Sequence, residues 1–154
     1  MKILVCISHV PDTTSKINFT NNNTEFDSNG ITYVINPYDE FGLTRAMVIK
    51  ESVGASITVL NVGSANTEPT LRKALAIGAD NAVRINAEPT DAHFVARLIA
   101  NYAKNENFDL IITGRESIDY NGGIVPGLLA TYLDMPFVNS CIGLELNGNH
   151  ASVT

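Results

Sequence analysis

The chain has 154 residues, 45% of them hydrophobic and 17% charged, which suits one packed domain and excludes a disordered or fibrous chain. Ten Lys and Arg against sixteen Asp and Glu leave a formal net charge of -6, without the basic stripe that a nucleic-acid backbone demands. The longest apolar run, Ile3–Ile7, is too short to span a bilayer. No basic segment with a small-residue cleavage site opens the chain, and Cys6 and Cys141 form no CxxC pair. The expectation is a cytoplasmic protein with reduced thiols and no direct membrane insertion.

In chain order, the first apolar run, Ile3–Ile7, reads as a strand. A long connection follows, with Ile17-Asn18-Phe19, the cluster Asn21-Asn22-Asn23, Asn29-Gly30 and the alternating Ile31–Ile35. Turn residues between short strand-like pieces predict a β-hairpin excursion after the first strand. Asn36 before Pro37 reads as the N-cap of a first helix, with Asp39 and Glu40 where the dipole favours anions. Leu43, Ala46, Met47 and Lys50 share its face, and Gly54 stops it. Ile57–Val62 is the second strand. Ser64, Asn66 and Thr67 are rival caps for a second helix carrying Leu71, Ala74 and Leu75 and ending at Gly78. Ala82–Ile85 is the third strand. Thr90 and Asp91 open a third helix with Val95, Leu98, Ile99 and Tyr102 on one face. Leu110–Ile112 is the fourth strand, and Val125, Leu128, Leu129 and Tyr132 mark a fourth helix ending before Pro136. Phe137–Leu146, Asn147-Gly148-Asn149 and Ala151–Val153 read as a strand, a turn and the start of another strand. Continuous apolar strands alternating with helices predict one α/β domain over 1–154, an open, mostly parallel, doubly wound sheet. The strand order is expected to be 3-2-1-4-5.

Catalytic chemistry is not legible. His9, His93 and His150 lie far apart, without ligands at metal spacing, so no metal site is expected. There is no GxSxG elbow, Ser8 and His9 are mere neighbours, and the Cys6 thiol in its apolar strand should have a raised pKa. One segment invites a ligand: Thr113-Gly114-Arg115-Glu116-Ser117-Ile118-Asp119-Tyr120-Asn121-Gly122-Gly123, polar and glycine-rich before the fourth helix. It is neither a P-loop nor GxGxxG, and an ordinary loop stays open beside an anion site. With the expected order, this loop meets the one carrying Ser8-His9 at the switch point where open α/β sheets bind ligands. The turn Gly122-Gly123 is the expected phosphate contact.

Four motifs then coincide: Met1-Lys2-Ile3-Leu4-Val5-Cys6 with Val10-Pro11-Asp12-Thr13, Ile35-Asn36-Pro37-Tyr38-Asp39-Glu40, Leu71–Asp80, and Gly114-Arg115-Glu116-Ser117-Ile118-Asp119. In this order, across nearly the whole chain, they resemble the electron transfer flavoprotein β subunit. The resemblance implies an electron carrier rather than an enzyme with its own catalytic side chains. It implies a heterodimer with an α subunit that holds most of the FAD. That complex carries electrons from acyl-CoA dehydrogenases of fatty acid oxidation and related enzymes to a quinone oxidoreductase and the respiratory chain. It further implies AMP bound by the β subunit at Cys6, at Asn36, Pro37, Tyr38 and Asp39, at Val62, and along Gly114 to Gly123 with Ile124 and Val125.

Asn121 and Ile124 stand where the family's loop often carries Asp and Gln. Family chains also run past position 154 into an arm that wraps the α subunit, so a truncated chain is expected. Two alternatives share the fold. One is a universal-stress-type ATP-binding domain, although that class usually has a glycine-rich phosphate loop absent here. The other is the β subunit of an electron-bifurcating flavoprotein, with a second FAD in the AMP place.

Overall fold

Apolar residues without alternation leave both faces of a strand seeking cover, and helices provide it on each side. The computed structural model describes residues 1–148 and 150–154. Its elements are β1 (Lys2–Cys6), β2 (His9–Pro11), β3 (Phe19–Thr20), β4 (Glu25–Phe26), β5 (Tyr33–Ile35), α1 (Pro37–Val53), β6 (Ser56–Val62) and α2 (Glu68–Ile77). They continue with β7 (Asn81–Ile85), α3 (Ala92–Ala103), β8 (Leu110–Thr113), α4 (Val125–Leu133), β9 (Leu144–Asn147) and β10 (His150–Val153).

The central sheet is four-stranded and parallel, ordered β7-β6-β1-β8. Taking the four parallel strands by sequence, that is the expected 3-2-1-4. Lys2 pairs with Ser56 through to Cys6 with Leu60, and Ile3 with Leu110 through to Cys6 with Thr113. Side chains alternate between two cores. Ile3, Val5, Ile57 and Val59 meet Leu43, Ala46 and Ile49 of α1 and Leu71 and Ala74 of α2. Leu4, Cys6, Leu60 and Val62 meet Ala96, Ile99 and Ala100 of α3 and Leu129 of α4. Each such aliphatic burial contributes about 1.5–3 kcal/mol, so β1, buried on both faces, supports both layers.

Helix signals are met with two refinements. Gly54, at φ +72°, ends α1 and donates its N–H to Lys50 O, and the Asp91 carboxylate caps α3 by accepting from Phe94 N at 2.9 Å. The α3 face is rotated from the expected one. Ala96, Ile99, Ala100 and Ala103 are its most buried residues, because small side chains allow close approach, while Val95, Leu98 and Tyr102 pack at the margin. Of the three rival caps before α2, none makes a side-chain cap bond; a short 3-10 turn, Ala65–Thr67, leads into the helix instead.

The excursion after β1 is a pair of antiparallel ladders, β2 with β5 and β3 with β4. Asn21, Asn22 and Asn23 turn the second ladder with φ of 53°, 58° and 66°, the left-handed region that asparagine tolerates.

One expectation is corrected. No fifth strand joins the sheet among the described residues: β8 is its edge, and of the expected strand Phe137–Leu146 only the last residues, Leu144 to Leu146, lie in a strand, β9. That piece pairs antiparallel with β10. Pro136 lacks an amide to give a ladder, and Ser140 sits at φ +56°, so the chain bends before it can lie along β8. Asn149 of the expected turn lies outside the described residues.

Candidate functional site

In a parallel sheet every strand ends at the same side, so the loops after β1, β6, β7 and β8 converge. There they enclose a cavity of about 630 Å³. Two buried side chains from the start of α1 hold its β1 and β8 sides together. Asp39, 5% exposed, accepts from Ser8 N through Oδ2 and from Gly114 N through Oδ1, both at 2.8 Å. One carboxylate thus ties the two loops of the switch point.

Asn36 works in the same direction, and here the sequence reading needs correcting. Its side chain does not cap α1. Buried to 1% exposure, it donates from Nδ2 to Glu116 O at 2.8 Å and accepts at Oδ1 from Ile118 N at 3.1 Å. An amide serves both contacts because the loop offers one carbonyl and one N–H. Gly114 is required by close approach, since a Cβ would stand 2.9 Å from Asp39 N and from Tyr38 C.

Electrostatics follow from burial. Loss of water raises the Asp39 pKa to about 6, against the pull of the Ser8 and Gly114 hydrogen bonds. Burial, and then the charge of Asp39, push the Cys6 thiol far above its ordinary range, as its apolar strand implied. His9 stacks on Tyr33 with ring centroids 4.3 Å apart and planes 7° from parallel. Its Nδ1 lies 2.7 Å from Thr70 Oγ1, and burial lowers its pKa.

The expected residues divide. Cys6, Asp39, Val62, Gly114, Glu116 and Ser117 line the cavity, joined further along the loop by Asp119, Tyr120, Gly122 and Val125. Tyr38 and Arg115 face elsewhere, into an apolar cavity of about 1180 Å³ between α1, β8, α4 and the segment from Met135 onward. Asn36, Pro37, Ile118, Asn121, Gly123 and Ile124 are not on the wall. Asn36 and Ile118 bond behind the loop, and Ile124 is 64% exposed. Asp119 is engaged within its own loop, accepting from the Ser117 hydroxyl and from Tyr120 N.

Apart from Val62, sequence reasoning named no ligand contact on the β6 and β7 sides, where Asn61, Gly63, Ser64 and Thr67, then Glu88, Thr90 and Asp91, line the cavity. The signal was available, because strand ends in a parallel sheet share one side. Asn61, 4% exposed, donates from Nδ2 to Ile7 O at 2.9 Å, while its buried Oδ1 has no partner among the described residues. A buried acceptor without a donor costs about 1–3 kcal/mol, so a ligand or water donor would relieve it. No Lys or Arg is among the residues lining the cavity, so an anion there would rest on backbone N–H groups and the N-terminus of α4.

Comparison with known proteins decides the lineage. The electron transfer flavoprotein domain matches residues 24–154. The chain belongs to the electron transfer flavoprotein family. It is 37% identical over 98% of its length to the electron transfer flavoprotein subunit beta of Bacillus subtilis, covering 60% of that protein. It is 33% identical over all of its length to the subunit of that name from Syntrophomonas wolfei, covering 61% of it. It is 28% identical over 99% of its length to the one from Homo sapiens, covering 62% of it. The chain therefore spans about three-fifths of the curated relatives it matches. Proteins of this family are electron carriers rather than classical enzymes. No helix of the described residues is long and apolar enough to cross a membrane.

Proposed function

We propose that this chain is the nucleotide-binding core of an electron transfer flavoprotein β subunit, holding AMP in the cavity at the strand ends. The observation that carries the reading is the convergence there of loops bearing all but one of the four motifs, stitched by Asp39 and Asn36. The cavity's 630 Å³ lies within the range of about 300–1,000 Å³ usual for small-molecule sites. Val62 and Val125 offer apolar wall to a base. Backbone N–H groups near Gly122 and the first turn of α4 offer donors to a phosphate.

In this reading AMP is a structural ligand, and the residues of this chain bind and orient it without moving electrons themselves. A FAD held mainly by the α subunit supplies the redox chemistry when the heterodimer forms. The partners at either end of the electron path are acyl-CoA and related dehydrogenases and a quinone oxidoreductase, and the setting is the cytoplasm.

The test is calorimetric titration of AMP, and separately FAD, into the purified protein, with an absorption spectrum of the preparation. The expected result is a colourless protein that takes up one AMP and binds FAD weakly. A yellow preparation with stoichiometric FAD would sink the AMP assignment and favour the bifurcating alternative. Binding of neither nucleotide would remove the cavity from consideration.

A further inference from the structure

Among the cavity-lining residues, His9 is the ionisable side chain at the start of β2, and no motif accounts for it. Three observations restrict what it can do. One ring face is taken by Tyr33, at 4.3 Å and nearly parallel. Nδ1 is taken by Thr70 Oγ1, 2.7 Å away on α2. The ring also lies on the wall of the cavity, and Nε2 has no hydrogen-bond partner among the described residues.

Donor counting sets the tautomer. Thr70 is 4% exposed, and among the described residues its hydroxyl engages nothing besides His9 Nδ1. Were Nδ1 the donor, the hydroxyl hydrogen would be buried without an acceptor, at the cost of an unmade hydrogen bond. The satisfied arrangement has the hydroxyl donating to Nδ1, so the neutral ring carries its proton on Nε2. Burial, which disfavours the charged ring, acts in the same sense.

We propose that His9 is a positioning residue for the nucleotide, its Nε2–H donating to an oxygen of the ligand's phosphate or sugar. This rests on the AMP reading above. With no Lys or Arg on the cavity wall, the oxygen must be oriented by neutral donors, and His9 is the one held on two sides, by Tyr33 and by Thr70. The Tyr33 stack and the Thr70 hydroxyl hold it in place before the ligand arrives, so little rotamer freedom remains to be lost on binding.

The test titrates AMP and adenosine into the protein and into His9→Phe, His9→Gln and Thr70→Val, with thermal melts as the folding control. His9→Phe keeps a flat ring on Tyr33 but has no donor, and should weaken AMP about fivefold. His9→Gln, whose amide reaches a similar place, should recover most of that loss, which a purely structural role would not allow. Thr70→Val should cost less than His9→Phe, because the ring is freed rather than removed. A loss for AMP alone assigns the phosphate, and an equal loss for adenosine assigns the sugar. The ¹⁵N spectrum of the wild-type histidines is a second measurement that needs no variant. It should report the Nε2–H tautomer, with Nε2 shifting on addition of AMP. Wild-type affinity in His9→Phe, or an Nδ1–H tautomer, overturns the proposal while leaving the AMP site standing. A wild-type protein that binds no AMP overturns both.

Discussion

The cavity at the strand ends and the larger one beside β8 differ in what gives them shape. The first mixes polar side chains with apolar ones such as Val62, Val95 and Val125, and buried hydrogen bonds from Asp39 and Asn36 fix its loops. The second is lined mainly by apolar side chains, among them Leu110, Ile112, Leu129, Leu133, Phe137 and Val138, and packing chiefly defines it. One polar tie crosses it: an Arg45 guanidinium N–H donates to Leu144 O, while its Nε stays buried without a partner among the described residues. A hydrogen-bonded cavity is preorganised and discriminates by donor and acceptor. An apolar trough tolerates change in shape and favours contact with another apolar surface.

The most damaging way to break this contrast is to remove the carboxylate. Asp39→Ala leaves the buried N–H groups of Ser8 and Gly114 without their acceptor and should cost about 3 kcal/mol in urea unfolding at neutral pH. A change below 1 kcal/mol, taken as about the worth of one hydrogen bond, would mean the tie is not structural. The same residue sets a pH signature. Its folded pKa of about 6 exceeds the ordinary 3.8, so the folded state holds the proton more tightly. The stability this contributes is full below the lower value and is lost as pH rises through the higher. The advantage of wild type over Asp39→Asn should therefore shrink between about pH 4 and pH 7. A widening advantage would show that the hydrogen bonds outweigh burial.

Gly114→Ala comes next, at about 2 kcal/mol, because the new Cβ meets the buried, hydrogen-bonded Asp39 carboxylate and the backbone of Tyr38 and Asp39, none of which can easily give way. Denaturant curves at matched pH measure it. A smaller effect belongs to ligand binding. Gly122 lies on the cavity wall and Gly123 does not, so Gly122→Val should weaken AMP about tenfold, or 1.4 kcal/mol, and Gly123→Val less. The reverse ranking would move the phosphate away from that wall.

The trough should give the smallest change in stability. Ile142 is 92% exposed and Val138 55%, and both border it. Replacing both with Lys should alter stability by about 0.5 kcal/mol or less. Wild type is nevertheless expected to self-associate through this apolar surface at high concentration, and the double variant to sediment as a monomer. A monomeric wild type would show that the trough is not adhesive by itself.

These contrasts also mark how far the sequence could be read. The sheet strands were legible because the cover of both faces writes apolar runs, continuous in Ile3–Ile7 and Leu110–Ile112 and interrupted only by Thr58 and Asn61 in Ile57–Val62. Their order followed from the topology of parallel sheets. The role of Asn36 was not legible, since its partners Glu116 and Ile118 lie some 80 residues away, while Pro37 beside it suggests a local cap. Asn61 escaped for the same reason: nothing local distinguishes a strand asparagine that reaches Ile7 from one facing solvent. Phe137–Leu146 has strand-like composition, but a strand also needs a partner edge, and Ser140 turns the chain away before β8 is met.

The ties from Asp39 and Asn36 have a consequence for traffic. With the β1 and β8 rims sewn together, a gap cannot open at the switch point without breaking buried bonds. The breathing of the cavity falls to the opposite rim, where Glu88, Pro89 and Thr90 cross from β7 to the Asp91 cap. That rim is the door, and the switch point is its hinge post. Amide exchange should be slowest at Ser8 and Gly114 and fastest at Glu88 and Thr90, the pattern expected if a ligand of this cavity enters past β7.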